Sequence, residues 1–249
     1  MWRLRGGHRG ARPPAGDQPP PARGAALPAA SRRGARRLGV DALRLDDGRP
    51  IVTGNTYDKF RTRNPVARWL QSGFLGAARQ LLSRVSALGT PRSVLEIGCG
   101  PGDLAAEIVP PEWPYVGLDI GLDEVRRMRA QVPAGLPLLA SADRLPLADR
   151  SFDLVIACEV LEHLERPETA VEEIARVSDA GLLLLSVPWE PVWRLLNLMR
   201  GAYVGQLGNT PGHLQHFSRR TIRDLVGRRF EVIGERRPLP WTLLLARLR

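Results

Sequence analysis

Val94-Leu95-Glu96-Ile97-Gly98-Cys99-Gly100-Pro101-Gly102-Asp103-Leu104 is the stretch on which the fold turns. Residues of strand character run into three glycines at alternate positions, and a helical pattern then begins at Asp103. Glycines in such a turn admit positive φ and let a ligand approach bare backbone, while the start of the next helix offers unpaired N–H groups. A dinucleotide-binding loop follows G-x-G-x-x-G, whose third glycine would fall at position 103, occupied here by Asp103. The spacing is instead G-x-G-x-G, with Glu96 two residues ahead of it. A carboxylate at that point repels a pyrophosphate and suits a ligand bearing an ammonium group, which disfavours a nicotinamide cofactor.

Outward from this loop, apolar runs alternate with helical stretches. Runs at 93–97, 115–120, 137–141, 152–158 and 181–187 read as strands, and 103–109, 122–131 and 167–178 as helices. Nearly continuous apolar strands joined by helices predict a parallel sheet covered on both sides. Two further runs, 230–235 and 241–248, are joined by a Pro-containing link too short for a parallel crossover, so they predict antiparallel neighbours. The fold class is therefore α/β: a doubly wound, Rossmann-like seven-stranded sheet, mostly parallel with an antiparallel C-terminal hairpin, and helices on both faces. Ahead of the loop, Val66, Trp69, Leu70, Phe74, Ala78, Leu81, Leu82, Val85 and Leu88 recur at helical steps until Gly89 and Pro91. Asp119 closes the second strand, where an acid accepts both hydrogen bonds of a ribose diol; an N-cap for the helix at 122–131 is the structural alternative.

The 249 residues suffice for one domain with a full core. A hydrophobic content of 43% and a charged content of 25% are those of a globular chain. No apolar run approaches the roughly 18 residues of a membrane-spanning helix. Two cysteines, Cys99 and Cys158, exclude a disulfide framework and a multi-cysteine zinc site. The net charge of +10 first points to nucleic acid, but 11 arginines against 4 aspartates fall within residues 1–50, so most of the excess belongs to a tail. Residues 1–39, rich in Arg, Pro, Gly and Ala, lack a periodic apolar pattern and are expected to stay unfolded. They contain no apolar core of a secretory signal, their prolines oppose a transit-peptide helix, and Trp2 is the one aromatic residue available for base stacking. An alternative reading places the biological start near Val40. The organisation expected is a tail over 1–50 and one cytoplasmic domain over 51–249, with a helical lid at 55–88, a cofactor core at 92–188 and a substrate-side insertion at 189–216.

In chain order, Glu96-x-Gly98-x-Gly100-x-Gly102, Gly117-Leu118-Asp119, Arg144-Leu145-Pro146-Leu147, Ser151-Phe152-Asp153-Leu154-Val155 and Glu159-Val160-Leu161-Glu162-His163 resemble the class I S-adenosylmethionine-dependent methyltransferases, in particular the small-molecule group called type 11. The resemblance covers about residues 55–249. It implies that Glu96, Gly98, Cys99, Gly100 and Gly102 hold the methionine part of S-adenosyl-L-methionine, and that Asp119, with Ile120 beside it, binds the ribose. It also implies that residues 141–142 contact adenine and that the strand end at 157–159, Cys158 included, lies near the sulfonium. By the same resemblance, 55–60 folds over the cofactor with Tyr57 as the contact. One position departs from the family: the Asp on the adenine amino group is replaced by Ser141, with Ala142 supplying a backbone contact, unless Asp143 shifts inward. Cys99 and Cys158 also read as small core residues.

Transfer of a methyl group from a sulfonium requires an oriented acceptor, and a general base only where the nucleophile must lose a proton. Glu159, His163, His213 and His216 are the candidates, with Glu159 and His163 also readable as structural. His213 and His216 lie three apart without a third ligand nearby in sequence, so no metal is expected. The apolar stretch within 189–200, flanked by Arg194 and Arg200, reads as a helix capping the pocket or as an interfacial segment in peripheral contact with a membrane, a lipid or a hydrophobic acceptor. The expected function is methyl transfer to an O, N or C nucleophile of a small-molecule acceptor, hydrophobic or glycan-linked. The alternatives are a non-catalytic binding module on the same fold, and a nucleic-acid methyltransferase using the basic tail. The second is disfavoured, because Ala157-Cys158-Glu159-Val160 stands where amino-group enzymes of that kind carry Asn/Asp-Pro-Pro-aromatic.

Overall fold

Consecutive residues of the central strands belong to two different apolar clusters, so both faces of the sheet are buried. Leu95, Ile97, Val155, Ala157, Leu183 and Leu185 fill one side, and Val94, Leu154, Ile156, Leu182 and Leu184 fill the other. This is the outcome that alternation of side chains across a pleated strand imposes on an unbroken apolar run. The computed structural model describes residues 62–199, 201, 205, 207–210 and 212–249. Tyr57, the stretch 55–60 and the tail at 1–50 lie outside the described residues.

The elements run α1 (Pro65–Leu88), β1 (Val94–Ile97), α2 (Asp103–Ile108), β2 (Tyr115–Asp119), α3 (Leu122–Gln131), β3 (Leu136–Leu139), β4 (Phe152–Cys158), a 3-10 turn (Leu161–His163), α4 (Pro167–Val177), β5 (Ser178–Pro188), α5 (Glu190–Met199), α6 (Arg219–Val226), β6 (Phe230–Arg236) and β7 (Trp241–Leu248). The strand order is β3-β2-β1-β4-β5-β7-β6. The first five strands are parallel, and β7 runs antiparallel to both β5 and β6. The winding reverses between β1 and β4, and the crevice beyond the carboxyl ends of those two strands is where doubly wound sheets bind ligands. α4 and α6 cover one face through Val171, Ile174, Ile222 and Val226, while α1 and α2 cover the other through Leu81, Val85, Ala105 and Ile108.

α1 corrects one expectation. Asn64 caps it, accepting from the backbone N–H groups of Val66 and Ala67 at 2.9 and 3.2 Å, and Pro65 occupies the first turn. Its apolar stripe lies against the sheet: Phe74 meets Trp241 edge to face at 5.2 Å, and Arg84 donates to the Ile233 carbonyl at 3.3 Å. Residues 65–88 are therefore a structural layer under the hairpin rather than part of a lid. β3 is shorter than expected, ending at Leu139, and β5 is longer. α6, absent from the sequence reading, is a short amphipathic helix closed by a reciprocal cap between Ser218 and Thr221.

Leu81 is fully buried where α1 meets the sheet. Leu81→Ala is expected to cost about 2–5 kcal/mol, read as a lower urea midpoint at unchanged slope.

Candidate functional site

Two loops at the switch point interlock because one of them lacks a side chain. Gly98 sits at φ 69°, and a Cβ placed there would come within 2.5 Å of Val160 Cγ2, so any larger residue would push apart the loops after β1 and β4. Asp119 fastens this loop to the end of β2. Its Oδ2 accepts from the Gly100 N–H at 2.9 Å and its Oδ1 from the Gly121 N–H at 2.8 Å. The N-cap of α3 is Gly121, without a side-chain cap, so Asp119 is not the N-cap of that helix. Each of its carboxylate oxygens keeps a further lone pair, the arrangement a diol requires. Ile120, beside it, is partly exposed.

Glu96 is buried in the crevice floor and accepts from the Tyr115 hydroxyl at 2.6 Å. Burial pushes its carboxyl up to about 8; the Tyr115 hydrogen bond pulls it down and the neighbouring Asp119 raises it further. Cys99 and Cys158 are buried in the core cluster beneath the loop, and burial pushes both thiols well above the ordinary range. Both side chains are packing groups, and a ligand here would meet their backbone.

Beyond β3, Ser141 Oγ donates to Asp143 Oδ1 at 2.5 Å, which brings together the two residues left as alternatives for adenine. With its hydrogen given to Asp143, the Ser141 oxygen is left to accept. Ala142 is buried and offers backbone only. α4 clamps the loop that follows: Arg176 donates to the carbonyls of Leu147 and Leu145 at 2.8 and 3.0 Å, and Glu173 accepts from the Leu145 N–H at 2.8 Å. Hydrogen bonds from Arg176 hold the Glu173 carboxyl below its ordinary range, with the Leu145 N–H contributing.

The remaining candidates lie on the far side of β4. Glu159 adopts φ 60°, a left-handed conformation that costs a non-glycine residue about 1–3 kcal/mol. Both carboxylate oxygens are engaged, accepting from Ser186 Oγ at 3.0 Å and from Trp241 Nε1 at 2.7 Å. Trp241 leans on Trp193 at 5.8 Å, and Trp193 stacks on His213 at 6.4 Å, so an aromatic wall runs from Glu159 to α5. His213 Nδ1 lies 2.7 Å from Glu190 Oε1, both residues buried. His163 Nδ1 lies 2.9 Å from the Gly212 carbonyl, and its ring meets His213 edge to face at 5.0 Å. His216 is not part of this group: it is exposed and contacts Asn209 at 3.0 Å. The structure thus separates the two histidines that are close in sequence and joins His213 to His163. Glu162, Glu190 and Trp241 are members that the sequence does not single out, whereas Trp193 lies in the stretch read as a helix capping the pocket. The pairing of Glu162 with His163 in one dipeptide was the one available signal.

Residues 67–231 match the family described as methyltransferase domain. A probable S-adenosylmethionine-dependent methyltransferase of Mycobacterium tuberculosis is 36% identical over 106 residues, covering 42% of this chain and 39% of the relative. The match therefore spans well under half of that relative's length. Among solved structures, magnesium protoporphyrin IX methyltransferase from Synechocystis, with SAH bound, is similar at a TM-score of 0.58 and 20% identity, covering 76% of this chain and 89% of that one. A protein of Pyrococcus horikoshii is similar at 0.57 and 16%, covering 72% and 91%. At these identities the structural likeness establishes the fold.

The raised carboxyl of Glu96 has a measurable sign. The folded chain retains a proton that the unfolded chain releases in the ordinary carboxylate range, so stability falls as pH rises towards about 8. Chemical denaturation at about pH 5 and about pH 8 is expected to show this decline in the ligand-free wild type and a flatter profile in Glu96→Gln.

Proposed function

The chain belongs to the methyltransferase domain family and has the class I fold, and from that premise we propose that it transfers a methyl group from S-adenosyl-L-methionine to a small-molecule acceptor. The observation that carries this reading is the closed cradle at the β1–β4 switch point, where a bare backbone turn lies between the buried carboxylate of Glu96 and the bridging carboxylate of Asp119. The donor set fits the cofactor: an acid suited to the ammonium, lone pairs suited to the ribose hydroxyls, and the Ser141–Asp143 pair with the Ala142 backbone suited to adenine. When bound, the cofactor supplies a methyl group made electrophilic by the positive sulfur.

The protein's own part is to orient and to exclude water. Glu159 accepts from Ser186 and Trp241, one bond on each oxygen, which supports a role in fixing the aromatic wall. With Nδ1 turned to the Gly212 carbonyl, an acceptor only, His163 carries its hydrogen there and has its lone pair on Nε2. The wall of Trp193, Trp241 and His213 favours an apolar or aromatic acceptor presenting an O, N or C nucleophile, free or glycan-linked. On α5, Leu195 and Met199 are 55% and 75% exposed, which supports delivery of such an acceptor from a lipid surface by peripheral contact. No described helix is long and apolar enough to cross a membrane. The same reading gives the enzyme a cytoplasmic setting and gives nucleic acid no part in the reaction.

Isothermal titration of the full chain with S-adenosylmethionine is expected to show saturable one-to-one binding. Asp119→Ala is expected to weaken it about 10- to 100-fold, the range for losing hydrogen bonds to a charged group. Because Glu96 sits near 8 without ligand, an ammonium partner draws it into the ionised form, and binding near pH 7 releases a fraction of a proton. Titration in buffers of different ionisation enthalpy measures that release. No binding by folded protein at millimolar ligand overturns the reading.

A further inference from the structure

We propose that Glu162, His163 and His213 form a site for a divalent transition-metal cation of the zinc class on the acceptor side of the crevice. One ligand atom from each of the three lies within 4.8 Å of the others. Ligands around one tetrahedral cation at about 2.0–2.2 Å lie about 3.3–3.6 Å apart, so the three groups close by about 1 Å on binding. The second shell needed to aim them is already in place. The Gly212 carbonyl can only accept, so His163 presents Nδ1–H to it across 2.9 Å. Glu190 likewise accepts from His213 Nδ1 at 2.7 Å. Both rings are thereby fixed in the tautomer whose Nε2 carries a lone pair, and a carboxylate behind an imidazole is the arrangement that orients metal-ligating histidines.

The platform is equally constrained. His213 and Glu162 lie about fifty residues apart in sequence, yet the backbone N–H groups of Leu214 and Gln215 both donate to the Glu162 carbonyl, at 2.8 and 3.0 Å. Gln215 Nε2 adds a bond to the Leu164 carbonyl at 3.1 Å. The loop carrying one ligand is thus stitched to the turn carrying the other two, and Trp193 backs the His213 ring. Such preorganisation is what separates a built site from a chance meeting of side chains. Two imidazoles and one carboxylate select zinc and its neighbours over magnesium or calcium. Three protein ligands leave a position open for water or an acceptor oxygen. That last role rests on the methyltransferase reading, whereas cation binding itself does not.

The test uses the full chain, free of any histidine tag and stripped with a chelator, titrated with Zn2+ against a chromophoric competitor and separately with Co2+. One equivalent of Zn2+ is expected, with visible d–d absorption from Co2+. Glu162→Gln, His163→Gln and His213→Gln are each expected to lower the affinity at least tenfold, while His216→Gln leaves it unchanged. Uptake below one equivalent, or uptake that all three variants retain, overturns the site and leaves the histidines as acid–base or packing groups. Circular dichroism checks each fold, and should His213→Gln fail to fold, the near-isosteric Glu162→Gln decides. SAH binding on the same stripped protein separates the two readings. Its absence with zinc stoichiometry intact counts against the cofactor assignment, and its presence without zinc uptake counts against the cation alone.

Discussion

The carboxylate of Asp119, shared between the N–H groups of Gly100 and Gly121, is the constraint from which the site follows. One side chain ties the ends of two parallel strands whose glycine turns would otherwise be the least restrained backbone in the crevice. Backbone donors at Gly100 and Gly121 have few other partners in such turns, and a charged acceptor satisfies both with stronger bonds than a neutral one. With that tie in place, Gly98 can press against Val160, and the loops after β1 and β4 define one concavity instead of two.

Charge is arranged unevenly around that concavity. The floor is a buried acid, Glu96, whose carboxyl burial pushes up to about 8. In the outer wall, Glu159 is engaged by Trp241 and Ser186, and one oxygen of Glu190 by His213. The left-handed backbone at Glu159 is maintained by these contacts, and Trp241 is in turn wedged by Phe74 of α1. Strain at the mouth of the site is therefore supported by a helix on the opposite side of the hairpin.

The core of the fold was legible because its signals are local. β4 and β7 are unbroken apolar runs, and their bounds matched the reading. α1 announced itself by periodicity and by Pro65 and Gly89 at its ends. α6 was passed over because its eight residues include three arginines and its apolar positions number only three. In the site, the glycine loop and Asp119 were readable because spacing and strand position fix them. The histidine grouping was not. Separation by three predicts proximity only on a helix, and the segment holding His213 and His216 is irregular, so the two point apart. What brings His213 to His163 is backbone pairing between Leu214, Gln215 and Glu162, a long-range contact that no local pattern encodes. Glu159 reads as chemical or structural from the sequence alone, because its Trp241 partner comes from a strand eighty-two residues away.

The placement of β7 bears on biosynthesis. It is the last of the described strands in chain order, yet it lies inside the sheet between β5 and β6 and supplies the tryptophan that engages Glu159. During translation, the five parallel strands can assemble while β5 still presents an open edge, whose unpaired N–H and C=O groups are a template for another chain. β7, eight residues long, covers that edge once it has been made. A nascent chain halted before Trp241 would hold the glycine turn and Asp119 but lack the tryptophan that engages Glu159, so the aromatic wall and the protection of the β5 edge arrive with the same strand.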